Sequence, residues 1–390
     1  PSNADTLVFK TMATGSRFAK FKFEISPMTK SQPEYDVVIV GSGAAGGMSA
    51  YALSCAGVRV LMLEAGRDYD PVTETPMFET PEDAPLRASS TPDKPFGYFD
   101  ATVDGGWQVP GEPYSSADDT DFLWWRSRML GGRTNHWGRI SLRMGEYDFK
   151  PYSRDGLGAD WPMTYADMAP YYDKTEALIG VYGSNEGLEN TPNSSPGVLL
   201  KAPAPRADEL LTKKYCRDLG IPVVPCHLAI LSEKQNHRRW PRELHPNNAL
   251  GQRVTRDIMR ARAACFFATP CGRGCSIGAN FQSPTVLLPP ALATGNLTIR
   301  TDAMVFEVSS NAKGQANGVG FIDRITGKQH HVRARVVILA ASACESARIM
   351  LNSKSNAHPN GIGNASGLVG KYIMDTVGAD LLGQFPIMEN

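Results

Sequence analysis

Four apolar residues without interruption, Val37 to Val40, stand between Asp36 and Gly41. A short β-branched run of this kind suits a parallel strand covered on both faces. After the glycines, Ala44, Ala45, Met48, Ala50, Tyr51, Ala52 and Leu53 continue as a helix as far as Gly57. Val58 to Leu63 then form a second strand that ends in Glu64. The pattern predicts strand, glycine turn, helix, strand.

Further along, YADMAPYYDKTEALIGVYG and ADELLTKKYCRDLG read as amphipathic helices, and IPVVPCHLAIL, residues 221–231, as a strand. From Leu288 onward three alternating runs with Gly or Asn turns precede a buried strand, Val336 to Ala340, and a helix from about Cys344. The fold class is therefore α/β, a Rossmann-like nucleotide-binding domain with an inserted α+β domain. Its expected parts are an N-terminal extension at 1–30, nucleotide-binding residues at 31–150 and 288–390, and a substrate domain with a cysteine loop at 151–287. A Pro-, Gly-, Ser- and Asp-rich stretch of about fifty residues after Phe78 reads equally as a lid, a subunit-contacting loop or a solvated insertion.

At 390 residues with 42% apolar content the chain can bury a sizeable core. Forty basic and forty acidic residues cancel, which gives no field favouring nucleic acid or an anionic membrane. The apolar runs are strand-length, so no membrane span is expected. The first 27 residues lack the apolar core of a secretory signal. A cytoplasmic location is the default expectation, and a periplasmic one holds if a signal-bearing partner subunit exports the chain. Seven unevenly spread cysteines argue against a disulfide framework.

Gly41, Gly43 and Gly46 form a GxGxxG after the first strand. For a dinucleotide site, the first permits the tight turn, the second lets the backbone approach a pyrophosphate, and the third allows close helix packing. Glu64 stands 23 residues after Gly41, where a carboxylate can accept hydrogen bonds from the ribose hydroxyls of an adenosine and would repel a 2′-phosphate. The unit alone does not separate FAD from NAD.

The segment DFLWWRSRMLGGRTNHWGRISLRM, residues 121–144, combines Gly131 and Gly132 with the donors Arg133, Thr134 and Asn135 and the rings of His136 and Trp137. It suits a loop around a planar heteroaromatic ring, and equally a glycine turn whose rings only pack. His227, His237 and His245 lack metal-binding spacing. Cys265, Cys271 and Cys275 form a C-x5-C-x3-C loop; three thiolates there could hold an iron-sulfur cluster, or pack as small hydrophobes.

GSGAAGG ending in LEAG, together with LGGRTNHWG, resembles the glucose-methanol-choline (GMC) family of FAD-dependent oxidoreductases. The resemblance implies that the first segment, with Arg67 after it, binds the ADP half of FAD and that the second runs along the isoalloxazine. In members of the pyranose oxidase kind a His-Trp pair stands where His136 and Trp137 do, and the His can be joined covalently to the flavin. Val305 then matches a residue that contacts adenine through its backbone, and Ala340 and Ala341 pass the FAD. ASACESARIML resembles the family's second signature, with Ser342 where Gly is usual. LVGKYIMDT places Asp375 near the flavin, with Thr376 in place of His. The cysteine spacing resembles bacterial glucose, fructose and gluconate dehydrogenase catalytic subunits, which implies a three-iron four-sulfur cluster at Cys265, Cys271 and Cys275.

The implied activity is oxidation of a CH–OH group of a sugar, glycoside or polyol by hydride transfer to FAD. Electrons would leave through the cluster to a cytochrome c or quinone, with a small subunit as a further partner. One alternative is a pyranose-oxidase-like enzyme using oxygen, and another is a catalytically incomplete FAD-binding fragment, because the family's C-terminal catalytic His and its His or Asn partner have no match here. An NAD-dependent dehydrogenase is disfavoured, since no second mononucleotide half follows in the expected place.

Overall fold

The computed structural model describes residues 34–75, 126–235 and 246–373, with short pieces of 1–33 and 76–125. The apolar run forms β1 (Tyr35–Val40), followed by helix α1 (Ala44–Cys55) and β2 (Val60–Leu63). The chain returns to the same sheet much later with β3 (Leu297–Arg300), β4 (Ala303–Ser310), β5 (Ala316–Asp323) and β6 (Gln329–Leu339). The six strands lie in the order β4-β5-β6-β1-β2-β3.

Pairing is parallel from β6 to β3, and the register brings the strand ends level: Leu339 lies opposite Val40, Val40 opposite Leu63 and Leu63 opposite Arg300. Val38 and Ile39 are fully buried, as expected of a strand covered on both faces. The buried strand read from Val336 begins seven residues earlier, at Gln329. Its first half pairs antiparallel with β5, as at Val332 and Val319, and its second half pairs parallel with β1. One strand thus joins a meander to a parallel sheet, and its polar first half belongs to the meander.

The long regular elements of the inserted stretch are helices: α2 (Tyr165–Ile179), α3 (Ala207–Asp218) and α4 (Ala249–Ala261). Thr164 caps α2 reciprocally with Asp167, whose carboxylate accepts the Thr164 N–H at 3.0 Å. The Arg143 guanidinium binds Glu176 through two nitrogens at 2.9 and 2.6 Å and reaches Asp173 at 2.5 Å, which anchors α2 to the chain preceding it. One apolar cluster joins Tyr51 and Cys55 of α1 to Leu178 and Ile179 of α2 and to Val254 and Met259 of α4.

The strand expected at 221–231 is not formed. Pro222 and Pro225 lack the N–H that a ladder requires. Only isolated bridges remain, from Leu228 to Ile140 and Tyr182 and from Ile230 to Asn280. Two helices complete what positions the site: α5 (Leu288–Ala293), packed on α1, and α6 (Ala343–Asn352), packed on β4.

Candidate functional site

Levelling the parallel strands leaves a crevice at their carboxyl ends, the usual ligand position in open α/β sheets. A cavity of about 690 Å³ opens there, walled by residues 40–45, 63–65, 126–128, 132–134, 303–305 and 339–343 with Trp137 and Phe281. Both sequence segments therefore border one space.

Gly41 has φ +96°, and a Cβ on it would meet the Ala340 carbonyl oxygen at 2.5 Å. A Cβ on Gly46 would lie 1.9 Å from the Gly41 oxygen, whereas one on Gly43 meets nothing within 4 Å. Glu64 is buried; one carboxylate oxygen accepts the Ser42 N–H at 3.0 Å and its hydroxyl at 2.5 Å, and the other accepts the Gly66 N–H at 2.8 Å. The Ser42 hydroxyl in turn accepts the Gly131 N–H at 2.8 Å, which ties the two segments together.

Two helices begin at the cavity wall, α1 at Gly43 and α6 at Ser342, and neither has a side-chain cap. Their first amides are free to meet an anion. Four arginines, Arg126, Arg128, Arg133 and Arg348, line the cavity against two acids, Glu64 and Glu345. Glu345 accepts from Arg128 at 3.0 Å and from Arg348 at 2.6 Å, and Arg348 also donates to the Val305 carbonyl at 3.1 Å.

In the second segment, Gly131 and Gly132 have φ of +91° and +51°. The Thr134 hydroxyl donates to the Gly131 carbonyl at 2.6 Å and accepts the Ser283 N–H at 3.0 Å, and Asn135 donates to the Leu130 carbonyl at 2.9 Å. Trp137 donates from Nε1 to the Phe281 carbonyl at 3.3 Å and meets the Phe281 ring edge-on at 6.1 Å. His136 is not a wall residue; its Nε2 faces the Ser127 hydroxyl at 3.4 Å. Burial, then the charges of Arg139 and Arg133, push its pKa down to about 3, so the imidazole is neutral at neutral pH.

Of the residues expected to bind cofactor, Gly41, Gly43, Glu64, Gly132, Thr134, Trp137, Val305, Ala340 and Ala341 line the cavity. Gly46, Gly131 and Asn135 support its walls from behind. Arg67 is placed elsewhere: its guanidinium is drawn to Glu74 at 2.7 Å and to the Asp68 carbonyl at 2.6 Å. Asp375 lies outside the described residues.

Ser42, Arg126, Arg128 and Arg348 were not singled out from sequence, whereas Arg133 was, as a donor of the second segment. The alternation in Arg126-Ser127-Arg128 was the available signal, since period two puts both arginines on one side of an extended chain.

Among the described residues no group of three or more His, Cys, Asp or Glu side chains is placed to hold a metal ion. Cys275 is buried with Met77 and Ala279, and its sulfur accepts the Ala279 N–H at 3.2 Å. The Cys265 sulfur accepts the Phe267 N–H at 3.2 Å. Burial raises the Cys265 pKa, and Cys271 and Cys275 lie near enough to add to the rise. Among the described residues no helix is long and apolar enough to cross a membrane.

Residues 242–381 match the family described as GMC oxidoreductase, and residues 34–73 match an FAD binding domain. The chain is 30% identical over 359 residues to 6'''-hydroxyparomomycin C oxidase of Streptomyces lividus, covering 89% of this chain and 56% of that protein. It is 30% identical to paromamine 6'-oxidase of Streptomyces fradiae, covering 86% and 53%. With the fructose dehydrogenase large subunit of Gluconobacter japonicus it shares 26% identity, covering 88% and 58%. The chain thus spans little more than half the length of these relatives.

Proposed function

The chain belongs to the GMC oxidoreductases, and on that premise we propose that its cavity holds FAD for the oxidation of a CH–OH group of a sugar, glycoside or related polyol. The observation that carries this reading is the Ser42 hydroxyl bridging Glu64 and Gly131, because it makes the two segments walls of one cavity.

The residues present fit the cofactor. Gly43, open on its Cβ side, allows a diphosphate close to the free amides of α1. The excess of two arginines over acids in the walls matches the charge of that diphosphate. Glu64 keeps lone pairs for ribose hydroxyls beyond the three donors it already has. The strand edge at Val305 suits adenine, and Trp137 with Phe281 suits the flat apolar body of the ring system.

FAD, when bound, supplies the acceptor for a hydride from the carbon that bears the hydroxyl. The chain's own residues bind and orient: Trp137 and Phe281 exclude water at one end, and Arg128 and Arg348 close the other through Glu345. His136 is not the base, because a group with a pKa of about 3 takes up no proton at neutral pH. It also stands outside the cavity walls, which supports non-covalent over covalent attachment of the flavin. No histidine lines the cavity among the described residues, and the proton acceptor stays unassigned.

For the electrons leaving the flavin, oxygen or a soluble acceptor is the reading we favour, since the cysteines as placed form no ligand set. A relay through an iron-sulfur cluster to a cytochrome c, with a partner subunit, is the second reading. It rests on the likeness to a protein named as a large subunit. Anaerobic addition of sugars and aminoglycosides tests the activity: bleaching of the flavin absorbance supports it, and an unchanged spectrum with every hydroxylated substrate contradicts it. Iron analysis of the same sample decides between the two electron routes.

A further inference from the structure

We propose that Arg139 is a positioning residue whose buried positive charge sets the reduction potential of the flavin; this deepens the FAD reading and rests on it. Arg139 is fully buried and has φ +64°, a conformation that side chains other than glycine avoid. Its guanidinium donates to the carbonyls of Asn135 at 3.0 Å and Cys271 at 2.8 Å, to the Trp137 carbonyl, and to the Asn280 side-chain oxygen at 3.1 Å. All four acceptors are neutral. Its Nε has no partner, and among the described residues no carboxylate pairs with it.

A buried cation without a carboxylate partner, with only the thiols of Cys271 and Cys275 and the Tyr69 phenol as ionisable neighbours, in a left-handed backbone costs stability twice over. A fold needing only a staple between three loops could use a neutral donor. Burial brings the Arg139 pKa down to about 10, which leaves it charged at neutral pH. The guanidinium carbon lies 6.0 Å from the centroid of the Trp137 ring, and Trp137 walls the cavity. Hydride transfer breaks the substrate C–H bond, passes two electrons and one proton to the flavin and leaves a carbonyl, while the hydroxyl proton goes to the base. The flavin gains one negative charge. A fixed cation in a low-dielectric surround favours that charged product and raises the potential.

The test is the flavin midpoint potential of the full chain with FAD bound, measured by dye equilibration in the parent, R139K, R139M and N280D. R139M is expected to lower the potential, and R139K to stay near the parent. N280D keeps Arg139 in place and sets a carboxylate against it, so it is expected to lower the potential even if R139M does not fold. A potential unchanged in N280D, with flavin still bound, would overturn the proposal. A parent chain that takes up no FAD would instead overturn the cofactor reading, which the absorbance spectrum shows separately.

Discussion

The Ser42 hydroxyl accepts the Gly131 N–H at 2.8 Å, a contact between residues 89 positions apart that holds the two halves of the cavity together. The same hydroxyl donates to Glu64 at 2.5 Å. Ser42→Ala leaves a buried N–H without its partner and Glu64 with one donor fewer, at a cost of about 1–3 kcal/mol. We expect a lower denaturation midpoint and an FAD affinity reduced by about tenfold or more, read by equilibrium unfolding and by flavin fluorescence titration. An affinity equal to the parent's would show that this link does not shape the site.

Gly43 and Gly46 separate binding from folding. A Cβ on Gly46 would overlap the Gly41 oxygen, so Gly46→Ala is expected to cost about 3 kcal/mol or more through backbone displacement. A Cβ on Gly43 meets open space, and its backbone, at φ −65°, suits any residue. Gly43→Ala should keep the parent melting temperature while weakening FAD binding, because its methyl enters the space assigned to the diphosphate. Loss of folding in Gly43→Ala, or unaltered FAD affinity, would count against that placement.

Ser342 stands at φ 70° and ψ 168°, a region occupied almost only by glycine, at the start of α6 on the cavity wall. The strain is worth about 1–3 kcal/mol, from which the unfolded-state entropy of glycine subtracts about 0.5–1 kcal/mol. Ser342→Gly is expected to raise stability by about 1 kcal/mol, measurable as a higher melting temperature. A decrease would mean that the hydroxyl does more than tolerate this conformation.

His136 gives the pH signature. Its folded pKa of about 3 lies below the ordinary 6.5, so between those values the unfolded chain binds the extra proton. This contribution to stability is complete above pH 6.5 and declines as pH falls toward 3. His136→Gln should flatten that part of the stability profile in denaturant titrations run across the window. Identical slopes in the two proteins would mean that the imidazole is not held neutral.

The βαβ start of the fold was legible because it is local: Val37 to Val40, three glycines and Glu64 carry their meaning within thirty residues. The strand expected at 221–231 failed because apolar content outweighed Pro222 and Pro225 in the reading. Nothing in the spacing of Cys265, Cys271 and Cys275 could say which backbone groups their sulfurs meet, since the Phe267 and Ala279 N–H groups that donate to two of them are set by how the loop folds. Arg67 followed the first segment closely in sequence, yet Glu74 draws it away. Ser42 was hidden for the opposite reason, its second partner being far along the chain.

The central claim is that one cavity accommodates the whole of FAD, adenosine at the Glu64 end and ring system at the Trp137 end. Titration of the cofactor-free protein with FAD, with ADP as competitor and riboflavin as control, tests it most directly. One FAD bound per chain, displaced by ADP and reduced in affinity by Gly43→Ala, is the expected result. Binding of riboflavin as tight as FAD, or no competition from ADP, would contradict it.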